Sequence, residues 1–463
     1  MKGPAATSGL TPPAWPGRPA RIGWILFDWA TQPFFTLVTT FVFAPFFVSV
    51  LAPTPADGQA WWGYATGVDG LMVAIGAPVL GAAADAGGPR KPWIGAFGLL
   101  IVGGSCLLWF AVPGLQGAVA IALVGYVIAT VGAEFATLFS NAMMPALAPP
   151  ERLGRLSGTG WAVGYAGGLV ALAITLALLA ADPGSGRTLA GIAPVLGLDP
   201  ALREGDRAVG PLSGLWFAVF VLPLFLLTPD VQGRGPGLGA SIRAGFAATR
   251  GIVASLRGER RLTRFLIANM VFTDGLVALF ALGGIYAAGV FGWGTLQLGV
   301  FGILIIVAGV AGAFVGGWLD DRIGPRRVML AGLGLLAAAC FGVLSTSRSH
   351  VLFGLAVAPP DGSLFGGTAE RVYVGLGLVI GLASGPVQAA ARTLLTRLAP
   401  PGNVGQAFGL FALSGKVTAF LGPSVAALAT DLFDSQRAGV AVVLAFLLAG
   451  LVLLFRVGPD ASR

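Results

Sequence analysis

The sequence predicts an all-α polytopic membrane protein with twelve transmembrane helices arranged as two six-helix bundles. Hydrophobic residues make up 56% of the 463 residues and charged residues only 10%, whereas about a quarter of an ordinary globular chain is charged. Apolar runs of about twenty residues recur along the chain, and each is long enough to cross a hydrocarbon core of ~30 Å as a helix. Two short motifs also occur twice, in corresponding places of the two halves.

The apolar runs give six candidate spans in each half of the chain. They cover approximately residues 24–51, 61–84, 93–113, 117–146, 157–180 and 213–228, and then 265–290, 296–318, 328–346, 372–391, 405–430 and 437–455. These spans place one bundle at 24–228 and the other at 265–456. Residues 1–23, which are rich in Pro and Gly, and residues 457–463 are expected to be cytoplasmic tails, the first of them disordered.

The segment 229–264 joins the two halves and carries regularly spaced arginines. Arg243, Arg250, Arg257 and Arg264 recur every seven residues, and apolar residues fall on another face. The pattern predicts a cytoplasmic amphipathic helix on the inner membrane surface, with its arginines toward anionic headgroups. A solvated basic linker is the alternative, because two glycines in the segment weaken a helix.

The distribution of basic residues predicts the orientation of the chain. If both termini are cytoplasmic, most of the 28 Lys and Arg residues fall on inner segments. The exceptions are Lys416, within a span, and six arginines on outer segments: Arg187, Arg203, Arg207, Arg348, Arg371 and Arg437. This imbalance follows the positive-inside rule. It explains the net charge of +8 without a nucleic-acid partner, and we expect none.

Two pairs of motifs indicate an internal duplication. GAAADAGGPRK at 81–91 aligns without a gap on GWLDDRIGPRR at 317–327, and LAPPERLG at 147–154 aligns on LAPPGNVG at 398–405. The difference in spacing falls in one outer loop, which is short in the first half and long in the second. A repeat in register predicts two homologous halves, and parallel repeats of six spans are typical of two-bundle secondary transporters.

The charged turn G-x-x-x-D-x-x-G-x-[RK]-[RK] resembles the signature loop of the major facilitator superfamily, and it is present in both halves. Its residues are Gly81, Asp85, Gly88, Arg90 and Lys91, and then Gly317, Asp321, Gly324, Arg326 and Arg327, with Arg322 beside Asp321. The resemblance implies the major facilitator fold. It also implies that Asp85 and Asp321 each meet the end of a helix from the opposite bundle and latch a cytoplasmic gate.

Longer stretches resemble one branch of that superfamily, the vacuolar amino-acid effluxers of autophagy and their bacterial relatives. They lie at 27–47, 141–168, 385–395 and 411–423. The chain departs from the branch at Thr31-Gln32, where Asn-Ser is usual, so its substrate can differ. The resemblance implies a multi-pass protein of the bacterial cytoplasmic membrane, and we expect a monomer.

Charged and polar residues inside the spans are the candidate site. An ionisable group in a span is costly unless it faces a cavity or a partner, and a carboxylate in low dielectric takes up a proton more readily. Asp28, Glu134 and Asp274 are therefore candidates for proton coupling or for holding a cationic group. Lys416 could bind a substrate carboxylate or neutralise an acid such as Asp69. Gln32, Asn141, Asn269 and Gln388 are polar candidates for the same cavity, or ordinary interhelical contacts.

These features favour a secondary transporter that moves a small solute by alternating access. The branch resemblance implies an amino acid or similar metabolite, exported, with protons as one option for the coupling ion. A multidrug-type exporter of apolar cations is the alternative, and a membrane scaffold or sensor is a third hypothesis, disfavoured by the charges in spans one, four and seven.

No catalytic, metal or cofactor motif is present: His350 is the single histidine, and no phosphate-binding G-x-x-x-x-G-K-[ST] occurs. We therefore expect no enzyme activity.

The predicted orientation can be tested with single cysteines. A cysteine placed at Ala86 should be labelled only from the inside of the membrane, and one at Ser363 only from the outside, because the two positions lie on opposite sides in the twelve-span topology. Labelling of intact cells with a membrane-impermeant thiol reagent measures this, and the reverse pattern would contradict the topology.

Overall fold

The computed structural model describes residues 15–86, 88–182, 184–230, 240, 243, 245–247, 258–358 and 364–458. Within these ranges, twelve helices are long and apolar enough to cross a membrane. In chain order, spans one to twelve are Arg18–Leu51, Pro55–Asp85, Lys91–Phe110, Ala118–Ala146, Pro150–Leu179, Glu204–Leu227, Arg260–Phe291, Gln297–Ile323, Pro325–Leu344, Thr368–Leu398, Val404–Leu432 and Gln436–Phe455. Each overlaps one predicted span. Most of the predicted linker helix and much of both predicted tails lie outside the described residues.

Several helices extend beyond the apolar runs that predicted them. Span one begins at Arg18, within the predicted tail. Span six begins at Glu204 rather than at 213, so its first turn contains charged residues that the predicted span left out. The charges there are paired locally: Arg203 donates to Asp206 at 2.6 Å, and this bond raises the pKa of Arg203 above its usual range. Charges satisfied in this way can stay in a helix at the membrane edge.

Two spans are irregular where they face the other bundle. Span one is α-helical over Arg18–Pro33 and continues as wider π-type turns over Phe34–Phe41, after a proline that removes a backbone donor. Span eleven is interrupted after Lys416, and its helix resumes at Leu421. Discontinuous helices of this kind often mark binding sites in transporters.

The two bundles meet through spans two and eleven, and through span five with spans eight and ten. The turns between spans two and three and between spans eight and nine lie on one side of the molecule, together with Arg18 and Phe455 at the two ends of the span set. We call this side the basic face. A short hairpin of strands β1 (His350–Val351) and β2 (Leu355–Ala356) lies on the opposite face, between spans nine and ten.

Spans two and eleven touch near the basic face and separate away from it. A Cβ added to Gly81 would collide with the Gly405 carbonyl, so only hydrogen fits there. Around Gly70 the nearest atom is already the Lys416 carbonyl oxygen, 4.0 Å from such a Cβ, and around Gly67 and Gly63 nothing lies within 4 Å. Along this seam the bundles are therefore closed on the basic face and open toward the opposite face.

The Gly81 contact predicts a conformational variant. Gly81→Ala should raise the free energy of this closed arrangement by about 1–3 kcal/mol through overpacking, and it should separate the two bundles on the basic face. The distance between spin labels at Ala86 and Asn403, measured by double electron–electron resonance spectroscopy, reports this separation.

The matched control is Gly63→Ala in the same helix, where the methyl group has open space. It should leave the label distances unchanged. Equal distance distributions in both variants would contradict the closed contact at Gly81.

Candidate functional site: a charged central cavity and a two-part latch

A cavity of about 830 Å³ lies between the bundles. It is lined mainly by spans one, four, five, seven, eight, ten and eleven, and no residue of span three or six reaches it. Its ionisable side chains, other than tyrosines, are Asp28, Glu134, Arg392 and Lys416. The first bundle supplies both acids and the second bundle supplies both bases.

Asp28 is paired with Arg392 across the bundle interface. Two guanidinium nitrogens of Arg392 donate to Asp28 Oδ2, each at 3.2 Å. Arg392 also donates to Asn141 Oδ1 at 3.1 Å and to the hydroxyl and carbonyl oxygens of Ser157 at 3.1 and 2.9 Å. Its guanidinium stands 5.3 Å from the ring centre of Trp161. The arginine is only 4% exposed, so its charge depends on these partners.

Glu134 is paired with Lys416, again across the interface. The ammonium lies 2.7 Å from Glu134 Oε1, and both side chains keep some exposure to the cavity. Asp69, the acid that the sequence suggested as a partner, is 1% exposed. It makes a hydrogen bond with Tyr126 and lies within reach of the Lys416 charge, but it does not line the cavity. Lys416 therefore has a direct acidic partner and a second acid behind it.

The predicted polar residues also reach the cavity. Gln32, Asn141, Asn269 and Gln388 all line it. Asn269 donates to the Ser414 hydroxyl at 2.9 Å, and Gln388 donates to the Tyr165 hydroxyl at 2.9 Å, across the bundle interface. These four amides surround the charged pairs with groups that can both donate and accept hydrogen bonds.

Asp274 is the predicted site residue that the structure places elsewhere. It is 2% exposed, accepts a hydrogen bond from Thr418 at 3.3 Å and packs against Gly422 of span eleven. Its neighbour Thr273 lines the cavity instead. One residue along a helix turns the side chain by about 100°, so Asp274 points into the second bundle.

The structure adds Arg392 to the candidate site. From the sequence, this arginine lies near the inner end of span ten and counts among the basic residues of the inner side. Its burial and its bonds to Asp28 and Asn141 identify it as part of the cavity floor. Sequence reasoning could have found Arg392, because a buried acid in span one, Asp28, requires a basic partner from another helix.

Asp85 closes the first half of a latch on the basic face. Its carboxylate oxygens accept the backbone N–H groups of Gly405 and Gln406 at 2.8 and 2.7 Å. These groups lie in the first turn of span eleven, where N–H donors have no helical partner and the helix dipole favours a negative charge. Arg90 lies 3.8 Å from the same carboxylate.

Asp321 makes the corresponding contact with span five. Its Oδ1 accepts a hydrogen bond from the Arg155 backbone N–H at 3.2 Å, and its Oδ2 forms an ion pair with Arg155 Nε at 2.9 Å. A Cβ on Gly154 would crowd Asp320 and Asp321, just as a Cβ on Gly405 would crowd Gly81 and Asp85. Because Gly154 and Gly405 occupy equivalent places in the repeat, the two contacts are related by the duplication. We call Asp85, Asp321 and the two helix starts the latch.

The remaining residues of the charged turns hold each turn to its own bundle. Lys91 donates to the Phe225 carbonyl at the end of span six, at 2.9 Å, and Arg326 donates to the Phe455 carbonyl at the end of span twelve, at 2.9 Å. Basic groups at helix C-termini are favourable. Gly324 has a φ of +87°, which glycine adopts without strain. Three further motif residues, Gly88, Arg322 and Arg327, lie in or beside these turns.

Comparison with known proteins agrees with this architecture. Residues 48–463 match the family model described as vacuole effluxer Atg22 like. The chain belongs to this family. An uncharacterised major-facilitator-type transporter, YxiO of Bacillus subtilis, is 22% identical over 95% of each chain. Autophagy-related protein 22 of Cryptococcus neoformans is 28% identical over 67% of this chain and 51% of its own length, so the chain spans about half of that Atg22.

Solved structures show the same fold. The major facilitator superfamily transporter FucP, in its outward conformation, superposes with a TM-score of 0.65 at 15% identity, covering 95% of this chain and 98% of FucP. Together with the family match, this establishes the chain as a major facilitator superfamily transporter related to the Atg22 effluxers. The predicted superfamily, branch and all-α twelve-span fold are confirmed.

The latch geometry predicts that Asp85 stabilises one conformation of this Atg22-like protein. Asp85→Ala should cost the closed arrangement about 0.5–2 kcal/mol, as for loss of other helix caps, and should widen the distance between labels at Ala86 and Asn403.

Asp230 provides a matched control, because its carboxylate accepts the N–H groups of Arg90 and Lys91 at 2.9 and 2.8 Å within the first bundle. Asp230→Ala should lower thermal stability without changing the bundle separation. A wider bundle separation in Asp230→Ala, with an unchanged separation in Asp85→Ala, would refute the latch.

Proposed function

We propose that this protein transports a zwitterionic solute, an amino acid or a similar metabolite, by alternating access. The observation that carries the proposal is the pair of cross-bundle ion pairs in the cavity, Asp28–Arg392 and Glu134–Lys416. Acids on one wall and bases on the other provide complementary partners for an ammonium and a carboxylate on the same molecule.

The cost of unpaired charge favours a zwitterion over a simple cation. A cation that displaced Arg392 from Asp28 would leave a 4% exposed guanidinium without its counter-charge, and separating a buried pair costs several kcal/mol. A solute with both charges replaces both halves of a pair at once. This argument supports amino-acid transport over the multidrug alternative.

The ion pairs also connect the cavity to the movement of the bundles. With no solute they join the first bundle to the second within the membrane-spanning region, where partly buried charge pairs are screened by salt much less than surface pairs. A solute held between them keeps that connection while the latch opens. The first and second bundles would then rock about a fixed site.

The proposed direction of transport is export. If the basic face is cytoplasmic, as the arginine distribution favours, the conformation described here is outward-open with the cytoplasmic latch closed. Export, which the family's effluxer description supports, would load solute after the latch opens. Glu134 is the candidate proton carrier, since a solute carboxylate on Lys416 leaves Glu134 without its counter-charge.

Flux into proteoliposomes tests the proposal. The purified chain should move a labelled neutral amino acid from a panel, and an imposed pH gradient should change the rate if protons are coupled. Arg392→Gln and Glu134→Gln should each reduce flux at least tenfold, because each leaves a charge unpaired in the cavity.

Asp274→Asn is the control, because Asp274 is a buried acid of a cavity-forming span that does not itself line the cavity. It should retain most of the flux. Transport of a lipophilic cation such as tetraphenylphosphonium without any amino-acid flux would support the multidrug alternative and contradict the proposal.

A further inference from the structure

A second, smaller cavity on the basic face is not part of the transport site. It is a groove of about 330 Å³ between the first turns of spans one and five. Four of its lining residues are arginines: Arg18, Arg21, Arg152 and Arg155. The others are Ile22, Ile25, Ala148, Leu156 and Thr159. We call this the arginine groove.

The groove is electrostatically unfavourable as it stands. Within the described residues, Arg155 forms an ion pair with Asp321, whereas Arg18, Arg21 and Arg152 form none with any carboxylate. Like charges around one groove repel each other, and positive charge at helix starts opposes the helix dipole. Glu151 is adjacent in sequence but is exposed and forms no ion pair with these arginines. The arrangement therefore favours the binding of an anion from outside the chain.

The depth of the groove indicates what carries that anion. At ~1.5 Å per residue along a helix, Arg21 lies ~4.5 Å and Ile25 ~10 Å beyond Arg18 toward the membrane interior. Ile22 and Leu156 thus lie about one turn deeper than Arg18 and Arg152, and Ile25 lies about two turns deeper. Arg21 and Arg155 lie at nearly the same depth as Ile22 and Leu156. A phospholipid has the same order of groups, a phosphate at the surface and acyl chains below, and headgroup regions are about 5–8 Å deep on each side of the hydrocarbon.

We propose that the arginine groove binds one anionic phospholipid of the basic-face leaflet, with its phosphate among the four arginines and its acyl chains along Ile22, Ile25 and Leu156. This proposal does not depend on the transported solute. A soluble anion would satisfy the arginines without contacting Ile22 or Ile25, so binding of inorganic phosphate distinguishes the two sources.

The groove is also linked to the latch, because Arg155 belongs to both. Spans one and five move together in the first bundle, whereas Asp321 belongs to the second bundle. In the closed latch, Asp321 offsets the charge of Arg155 at 2.9 Å. When the latch opens, Asp321 withdraws and the groove becomes more positive. A ligand that binds one state better shifts the equilibrium toward that state, so the anionic lipid favours the opening of the latch.

Lipid titration of the purified full-length chain tests this site by native mass spectrometry. Phosphatidylglycerol should bind with higher affinity than phosphatidylcholine with the same acyl chains. An arginine near anionic headgroups contributes about fivefold in affinity, so Arg21→Gln/Arg152→Gln should weaken phosphatidylglycerol binding roughly 25-fold. The double variant Arg260→Gln/Arg456→Gln removes the same charge from exposed positions outside the groove, and it should bind phosphatidylglycerol as the wild type does.

Each other outcome overturns part of the assignment. Equal losses in both double variants would mean general surface attraction rather than a site. Thermal stabilisation by inorganic phosphate alone, equal to that by phosphatidylglycerol, would mean a free-anion site. Asp321→Asn should strengthen phosphatidylglycerol binding severalfold, because it frees Arg155 of its counter-charge, and unchanged affinity would refute the link to the latch. None of these measurements involves transport, so they stand apart from the flux experiment.

Discussion

Charge in the membrane interior must be paired within the protein, and in this chain the decisive pairs connect the two bundles. Asp28 and Glu134 have no basic residue of their own bundle in the cavity, and Arg392 and Lys416 have no acidic one there. Neither half can bury its cavity face alone without leaving unpaired charge. The pairs therefore fix how the halves meet at mid-membrane, and they make the cavity the place where a charged solute can intervene.

The latch supplies the second constraint, and it uses a different kind of interaction. Asp85 and Asp321 bind backbone N–H groups at helix starts, which remain available in every conformation and need no partner side chain. Such contacts can form and break without stranding a buried charge, because the carboxylates lie near the membrane surface, where water can replace the lost bonds. The Asp28–Arg392 pair is more enclosed, because Arg392 is only 4% exposed. Duplication placed one latch contact on each side of the interface.

Much of this architecture was predictable, because the spans are long apolar runs and the two halves share repeated motifs. The spans follow from hydrophobic length alone, and the turn GWLDDRIGPRR is assigned by its copy at 81–91. The sequence also places Glu134 and Lys416 inside spans, and both line the cavity. The direction in which a side chain points around its helix was not predictable. Asp274 lies inside span seven, but it faces span eleven, one residue from the cavity-lining Thr273. A single sequence without a strong amphipathic pattern does not specify that angle.

The sequence by itself determined the membrane class, the number of spans, the duplicated halves and four of the ionisable residues inside the spans, Asp28, Glu134, Asp274 and Lys416. Only the tertiary structure decided the partners. Lys416 pairs with Glu134 rather than Asp69, and Arg392 becomes the floor of the cavity rather than an inner-side anchor. The physical reason is that ion pairing depends on distances of a few ångströms between helices far apart in the chain. Hydrophobic patterning sets each helix in the membrane, but not the neighbour that it faces.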